Sequence, residues 1–190
     1  MRAVVAETFG DADVLEIKQV DVPRPQSGEV LIKIAAAGIN RPDVLQRFGR
    51  YAPPEGVTNI FGLECSGEIV ALGEGIHRYS IGDKVCALVS GGGYAEYVAA
   101  PEGQCLPIPA GLDMVQAAAL PESIFTVWAN LFELGQLKEN EIALVHGGSS
   151  GIGIYAIQMA VAAGAHIIVT VGNDQKAEAC IKLGATMVWM

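Results

Sequence analysis

Apolar and polar residues alternate with a period of two in "VLEIKQV" (Val14–Val20) and in "EVLIKIAAAGI" (Glu29–Ile39). That spacing sets one face of a strand on a core and the other toward water. "GEIVALGEG" (Gly67–Gly75) and "GDKVCALV" (Gly82–Val89) repeat the pattern, and "GGGYAEYVAAP" (Gly91–Pro101) adds a strand behind a glycine turn. Within this stretch only "RPDVLQRFG" (Arg41–Gly49) predicts a helix, with Pro42 in its first turn and Gly49 closing it. Residues 1–112 therefore predict a β-rich domain, a small barrel or curled sheet.

Beyond Leu112 the period lengthens. "DMVQAAAL" (Asp113–Leu120) and "SIFTVWANLFELG" (Ser123–Gly135) predict helices, the second with Phe125, Trp128, Leu131 and Phe132 on one side. "EIALVHGG" predicts a buried strand, "IGIYAIQMAVAAG" a helix, "AHIIVTVG" a second strand, "DQKAEACIKLG" another helix and "ATMVWM" the start of a third strand. Strand–helix–strand–helix–strand is the first half of a Rossmann-type, parallel nucleotide-binding domain. The fold class is α/β, with residues 113–190 as that half-domain, which reads as truncated because such a half normally continues into further strands.

Composition narrows the ligand. The chain has 190 residues, 51% of them hydrophobic, and a formal net charge of −9 without a run of Lys or Arg. Nucleic acid and anionic membrane are disfavoured as partners, since phosphate-rich surfaces need clustered positive charge. No apolar run approaches the ~20 residues of a membrane span, and the N-terminus lacks a secretory h-region. A cytoplasmic protein is the expectation. Cys65, Cys86, Cys105 and Cys180 fall at no zinc-finger or CxxC spacing, so they predict free thiols in a reducing compartment.

The chemistry concentrates in "HGGSSGIG", His146–Gly153. Gly148, Ser150 and Gly153 take the three positions of a G-x-G-x-x-G fingerprint, with Gly147 before them and Gly151 extra. Between a strand and a helix this pattern turns the chain and aims N–H groups, those of Ser149, Gly151 and Ile152 among them, at a pyrophosphate. Gly148 is expected to supply the turn and Gly153 the close packing, while the Ser150 hydroxyl adds a phosphate hydrogen bond. His146, at a buried strand end, reads as structural rather than as a base. After the next strand an NAD site usually places a carboxylate. Here Gly172 and Asn173 stand first, Asp174 is expected to cap the helix beginning at Gln175, and Lys176 follows. Lys176 either pairs with a 2′-phosphate, which favours NADPH, or is an ordinary solvated helix lysine.

The order of the two halves, with "AGINRPDVLQRFGRY", "GLECSGEIVALGEG", "IGDKV", "GGGYAEYV" and "HGGSSGIG", resembles the medium-chain dehydrogenase/reductase superfamily. Within it the chain is similar to the zinc-free, zeta-crystallin-like NADPH:quinone oxidoreductases. The resemblance implies an N-terminal GroES-like domain, NADPH as cofactor, a homodimer, and hydride delivery to a quinone or another electrophilic carbonyl compound. It also implies no metal: Asn40 and Leu63 stand where zinc-dependent relatives carry Cys and His, with Asp43 and Glu64 as matching positions. The cysteine-rich loop of a structural zinc site is missing. Asn40 and Tyr51 are implied to line the cleft by the nicotinamide and bind a carbonyl oxygen, and Thr126 to contact the nicotinamide amide. Asn40 can instead be a turn residue tolerating positive φ, Tyr51 a loop aromatic packed on Pro53 or Pro54, and Thr126 an ordinary helix position. Two other functions stay open: an alkenal or enoyl reductase of the same superfamily, and a non-catalytic NADPH-binding or structural protein.

Overall fold

A computed structural model describes residues 1–190, which divide into two compact units, Met1–Glu122 and Ser123–Met190. In the first unit, β1 (Arg2–Val5) and β2 (Glu16–Gln19) form a two-stranded antiparallel ribbon. The main sheet holds β3 (Glu29–Ala37), β4 (Glu64–Leu72), β5 (Lys84–Leu88), β6 (Tyr97–Pro101) and β7 (Cys105–Pro107) in the order β6-β3-β4-β5-β7. Its neighbours are antiparallel, and the ladder between β3 and β4 shifts register twice, after Leu31 and after Ile34. Val30 and Ile32 of β3, Cys65 and Ile69 of β4, and Val85 and Ala87 of β5 build the core. Between Cys65 and Ile69, Gly67 has no room for a side chain, because a Cβ there would lie 2.2 Å from the Lys33 carbonyl oxygen. Cys65, Ala87 and Cys105 form one row across β4, β5 and β7.

Helix α1 (Arg41–Arg47) starts after Asn40 with Pro42 in its first turn, and Gly49 just beyond it takes φ +70°. Asp113 caps α2 (Met114–Ala117) by accepting from the Gln116 N–H. The Ser66 hydroxyl donates to the Met114 carbonyl, and Glu64 accepts from the Glu122 N–H. These bonds tie residues 113–122 to the β-rich unit, ten residues past the boundary expected from sequence texture.

In the second unit α3 (Pro121–Val127), whose first two residues belong to the first unit, runs into a π-helical stretch, Trp128–Leu134. The sheet is parallel, in the order β10 (Met187–Trp189), β9 (His166–Thr170), β8 (Ile142–His146). Helices α4 (Gly151–Ala162) and α5 (Asp174–Lys182) connect the strands. Val127, Ile157, Ala160, Ile167, Val169 and Cys180 pack as the core.

Two expectations about this unit need correction. Strand β8 is not buried: Ile142 and Leu144 are 66% and 59% exposed, and His146 is exposed as well. Alternation puts these three side chains on one face, whereas Val145 on the other face packs into the core. Trp128 lies outside the core that Leu131 and Phe132 pack against. It is half exposed and meets that side only through Phe132, on which it stacks with ring centroids 5.2 Å apart. No helix is long and apolar enough to cross a membrane.

Candidate functional site

The glycine-rich turn between β8 and α4 is held by its own main chain. Gly147 and Gly148 both donate to the Thr170 carbonyl at the end of β9, and the Ser150 N–H donates to the Gly147 carbonyl. The residue that turns the chain is Gly147, at φ +76°, rather than Gly148. Gly148 is there for proximity: a Cβ on it would lie 2.5 Å from the Val169 Cβ. Gly153 packs as expected, since a Cβ would come within 2.4 Å of the Gly147 oxygen.

Ser150 is the N-cap of α4, in an extended conformation. Its hydroxyl oxygen accepts from the Gly153 N–H at 3.0 Å, and its carbonyl accepts from the Ile154 N–H. The hydroxyl keeps its own proton to donate. The N–H groups of Gly151 and Ile152, in the first helical turn, have no intrahelical carbonyl to bond. Together with the helix dipole they suit an anion. The turn therefore fits a pyrophosphate: small residues where side chains cannot go, and free donors beside them. His146, exposed at the end of β8, pairs its Nδ1 with the Thr170 hydroxyl at 3.1 Å, so its role is at the strand ends and not in a buried core.

At the end of β9, Gly172 has open space around it. Asn173, not Asp174, caps α5: its Oδ1 accepts from the Lys176 N–H at 3.0 Å, and Asp174 is the first helical residue. The Lys176 side chain is exposed and makes no ion pair. Thr126, in α3, is half-buried, and its carbonyl accepts from the Asn130 amide.

In the first unit, Asn40 lies between β3 and α1 with φ −123°, so the positive-φ reading does not hold. Its N–H donates to Asp43 Oδ2 at 2.7 Å, and its side-chain Nδ2 donates to Glu64 Oε1 at 2.8 Å. Tyr94 donates its hydroxyl to the same Asp43 oxygen, while Asp43 Oδ1 is buried without a partner. Glu64 is 3% exposed, and its second oxygen accepts from the Glu122 N–H at 2.9 Å. Burial raises the Glu64 pKa; the bonds from Asn40 and Glu122 pull it down, and the nearby Asp43 charge adds to the rise. Burial, then Asp43, pushes the Tyr94 hydroxyl up as well. Tyr51 is 44% exposed on the loop after α1 and lines a cavity of about 270 Å³ with Phe9, Phe61 and Pro53.

Sequence reasoning named Asp43 and Glu64 only as matching positions and missed Tyr94 and Glu122. The spacing Asn40-x-x-Asp43 is a capping-box signal that ties the first pair locally. Nothing local announces Tyr94, 51 residues from Asp43 in the chain.

Residues 26–110 match the alcohol dehydrogenase GroES-like domain family, and residues 151–189 match the zinc-binding dehydrogenase family. Quinone oxidoreductase of Rattus norvegicus is 35% identical over 191 aligned positions, covering 100% of this chain and 58% of that protein. The solved structure of Escherichia coli quinone oxidoreductase complexed with NADPH has 30% identity and a TM-score of 0.86, over 99% of this chain and 58% of that one. CurK enoyl reductase has 29% identity and a TM-score of 0.87, over 98% and 58% of the two chains. The chain thus spans somewhat over half the length of these three relatives.

Proposed function

The chain belongs to the medium-chain dehydrogenase/reductase superfamily, in its zeta-crystallin-like branch, and from that premise we propose that it serves NADPH-dependent reduction of quinones or related electrophilic carbonyl compounds, without zinc. The observation that carries the reading is the Gly147–Gly153 turn, whose steric closure at Gly148 and Gly153 and free N–H groups suit a dinucleotide pyrophosphate. The likeness to an NADPH complex of the E. coli enzyme supports the same cofactor.

When bound, NADPH supplies the hydride. The chain's residues do the rest of the work. Ser149, Ser150, Gly151 and Ile152 hold the pyrophosphate, and Lys176, with Gly172 and Asn173 in place of a carboxylate, accepts the 2′-phosphate. Thr126 orients the nicotinamide amide. Asn40, through its amide N–H, and Tyr51, through its hydroxyl, bind the acceptor's carbonyl oxygen and stabilise the charge that develops there. Asn40 engages Glu64 through its amide N–H, and Leu63 beside Glu64 is a buried alkyl group. That pair does not make a zinc ligand set. The partners in this reading are a small-molecule acceptor and a second copy of the chain, in the cytoplasm.

A second acceptor class, an enone or enoyl group, is favoured by the likeness to CurK enoyl reductase. Fluorescence titration with NADPH and NADH, followed by NADPH oxidation on a quinone and enone panel, tests the proposal. Lys176→Glu is expected to weaken NADPH by about tenfold or more and leave NADH unchanged, because a charge-assisted contact is replaced by repulsion. Equal loss of both cofactors overturns the Lys176 assignment. NADPH binding with no turnover on any acceptor overturns the catalytic reading in favour of a nucleotide-binding protein.

A further inference from the structure

The Asn40 amide is held from two directions. Its backbone is pinned by Asp43 Oδ2, which Tyr94 braces in turn, and its side chain by Glu64 Oε1. A primary amide has two faces of opposite polarity, and a loop asparagine free to rotate presents either. A carboxylate only accepts, so the Nδ2 side of Asn40 must turn toward Glu64. One Nδ2–H is then consumed, and the second remains as a donor on a half-buried residue.

Glu64 is itself held from two sides. Its second oxygen receives the Glu122 N–H near the start of α3, and Gly38 lies so close that a Cβ there would be 1.9 Å from Glu64 Oε1. Both carboxylate oxygens are therefore committed to N–H donors from two separate segments. Only a carboxylate answers both, because a glutamine has one acceptor oxygen and its amide nitrogen would face an N–H. A lone structural cap for α3 would need the second oxygen alone.

We propose that Glu64 is a positioning residue, which fixes the orientation of the Asn40 amide so that its second N–H is presented to the acceptor's carbonyl oxygen. The proposal rests on the reading that Asn40 binds that oxygen.

Duroquinone, which carries no ring hydrogen for thiols to displace, is the probe. Its affinity is measured for the full chain and for Asn40→Ala, Glu64→Gln and the double variant, with NADPH affinity and thermal unfolding alongside. Asn40→Ala and Glu64→Gln are each expected to weaken duroquinone by up to about tenfold, the scale of one hydrogen bond to a neutral carbonyl oxygen. NADPH affinity is expected to stay unchanged. The double variant is expected to be no weaker than Asn40→Ala alone, because Glu64 acts through Asn40. Independent, multiplicative losses overturn the proposal, as does a Glu64→Gln protein that binds duroquinone normally. An Asn40→Ala protein with unchanged affinity instead overturns the reading of Asn40, a result separate from the other two. In the unaltered protein, one of the two Asn40 side-chain amide protons, observed by NMR, is expected to exchange with water at least about tenfold more slowly than the other, since Glu64 holds it. Two fast-exchanging protons overturn the proposal without any variant having to fold.

Discussion

Replacing Gly153 by alanine puts one methyl group where the structure has no place for it. The new Cβ would lie 2.4 Å from the Gly147 oxygen and 2.5 Å from the carbonyl carbon and oxygen of Gly148. Ordinary contact begins at 3.4 Å, so the first turn of α4 has to retreat by about 1 Å. All three opposing atoms are main chain, and no rotamer change can make room. Overpacking of this kind costs about 1–3 kcal/mol, and in a unit of this size each kcal/mol lowers Tm by roughly 4–8 °C. Alanine also gains helix propensity over glycine, up to about 1 kcal/mol, which offsets part of the clash.

Gly151→Ala is the matched comparison. It lies in the same first turn and gains the same propensity, but its Cβ would meet only the Ser123 hydroxyl at 3.7 Å. The difference in Tm between the two alanine variants is therefore the measure of the clash. A retreat of the turn also moves the N–H groups of Gly151 and Ile152, so NADPH affinity is expected to fall about tenfold or more in Gly153→Ala. Differential scanning calorimetry and NADPH fluorescence read the two effects. If both alanine variants unfold at the same temperature and bind NADPH equally, the steric account of the turn is refuted.

Ser150→Ala is expected to cost about 1 kcal/mol of stability, since the Gly153 N–H loses its capping oxygen. Ser150→Gly should cost only a few tenths of that unit, and a Ser150→Ala protein with an unchanged stability in urea unfolding would show that the cap contributes nothing. Glu122→Gln is expected to flatten the dependence of stability on pH. Burial, then Glu64 and Asp43, raises the Glu122 pKa above its unfolded value. The folded state therefore binds this proton more tightly than the unfolded chain does. Stability is fullest below the unfolded pKa and falls as pH rises through the folded one. Denaturant midpoints taken below pH 4.5 and near neutrality, both on the wild type and on the variant, check this; parallel profiles would remove Glu122 from the account.

What was legible in the chain was mostly local. Pro42 and Gly49 bracket α1, and the glycines of residues 147–153 mark a strand-to-helix turn, because each acts through its own backbone. The assignment of jobs inside the turn was less legible. Whether Gly147 or Gly148 takes the positive φ depends on where Val169 of the neighbouring strand comes to lie. Asn173 and Asp174 are both good caps, and the first turn of α5 chose the earlier one. Strand β8 reads as buried from its apolar run, yet burial depends on what packs against each face, and periodicity carries no information about that. The Glu64–Asn40 bond joins residues 24 apart, and the register shifts in the β3–β4 ladder that lead up to it have no local signature.

The four buried cysteines acquire a different significance in a chain proposed to reduce quinones. Quinones are alkylating agents: a thiolate adds to the conjugated ring and is consumed. Cys65, Cys86, Cys105 and Cys180 are all wholly enclosed. Burial foremost pushes the Cys65 and Cys105 thiols up to about 12 and that of Cys86 to about 11. At neutral pH these sulfurs stay protonated and out of reach, and the thiolate is the reactive form. The same packing that gives the β-rich unit its core makes it resistant to self-poisoning by the compounds it is proposed to reduce.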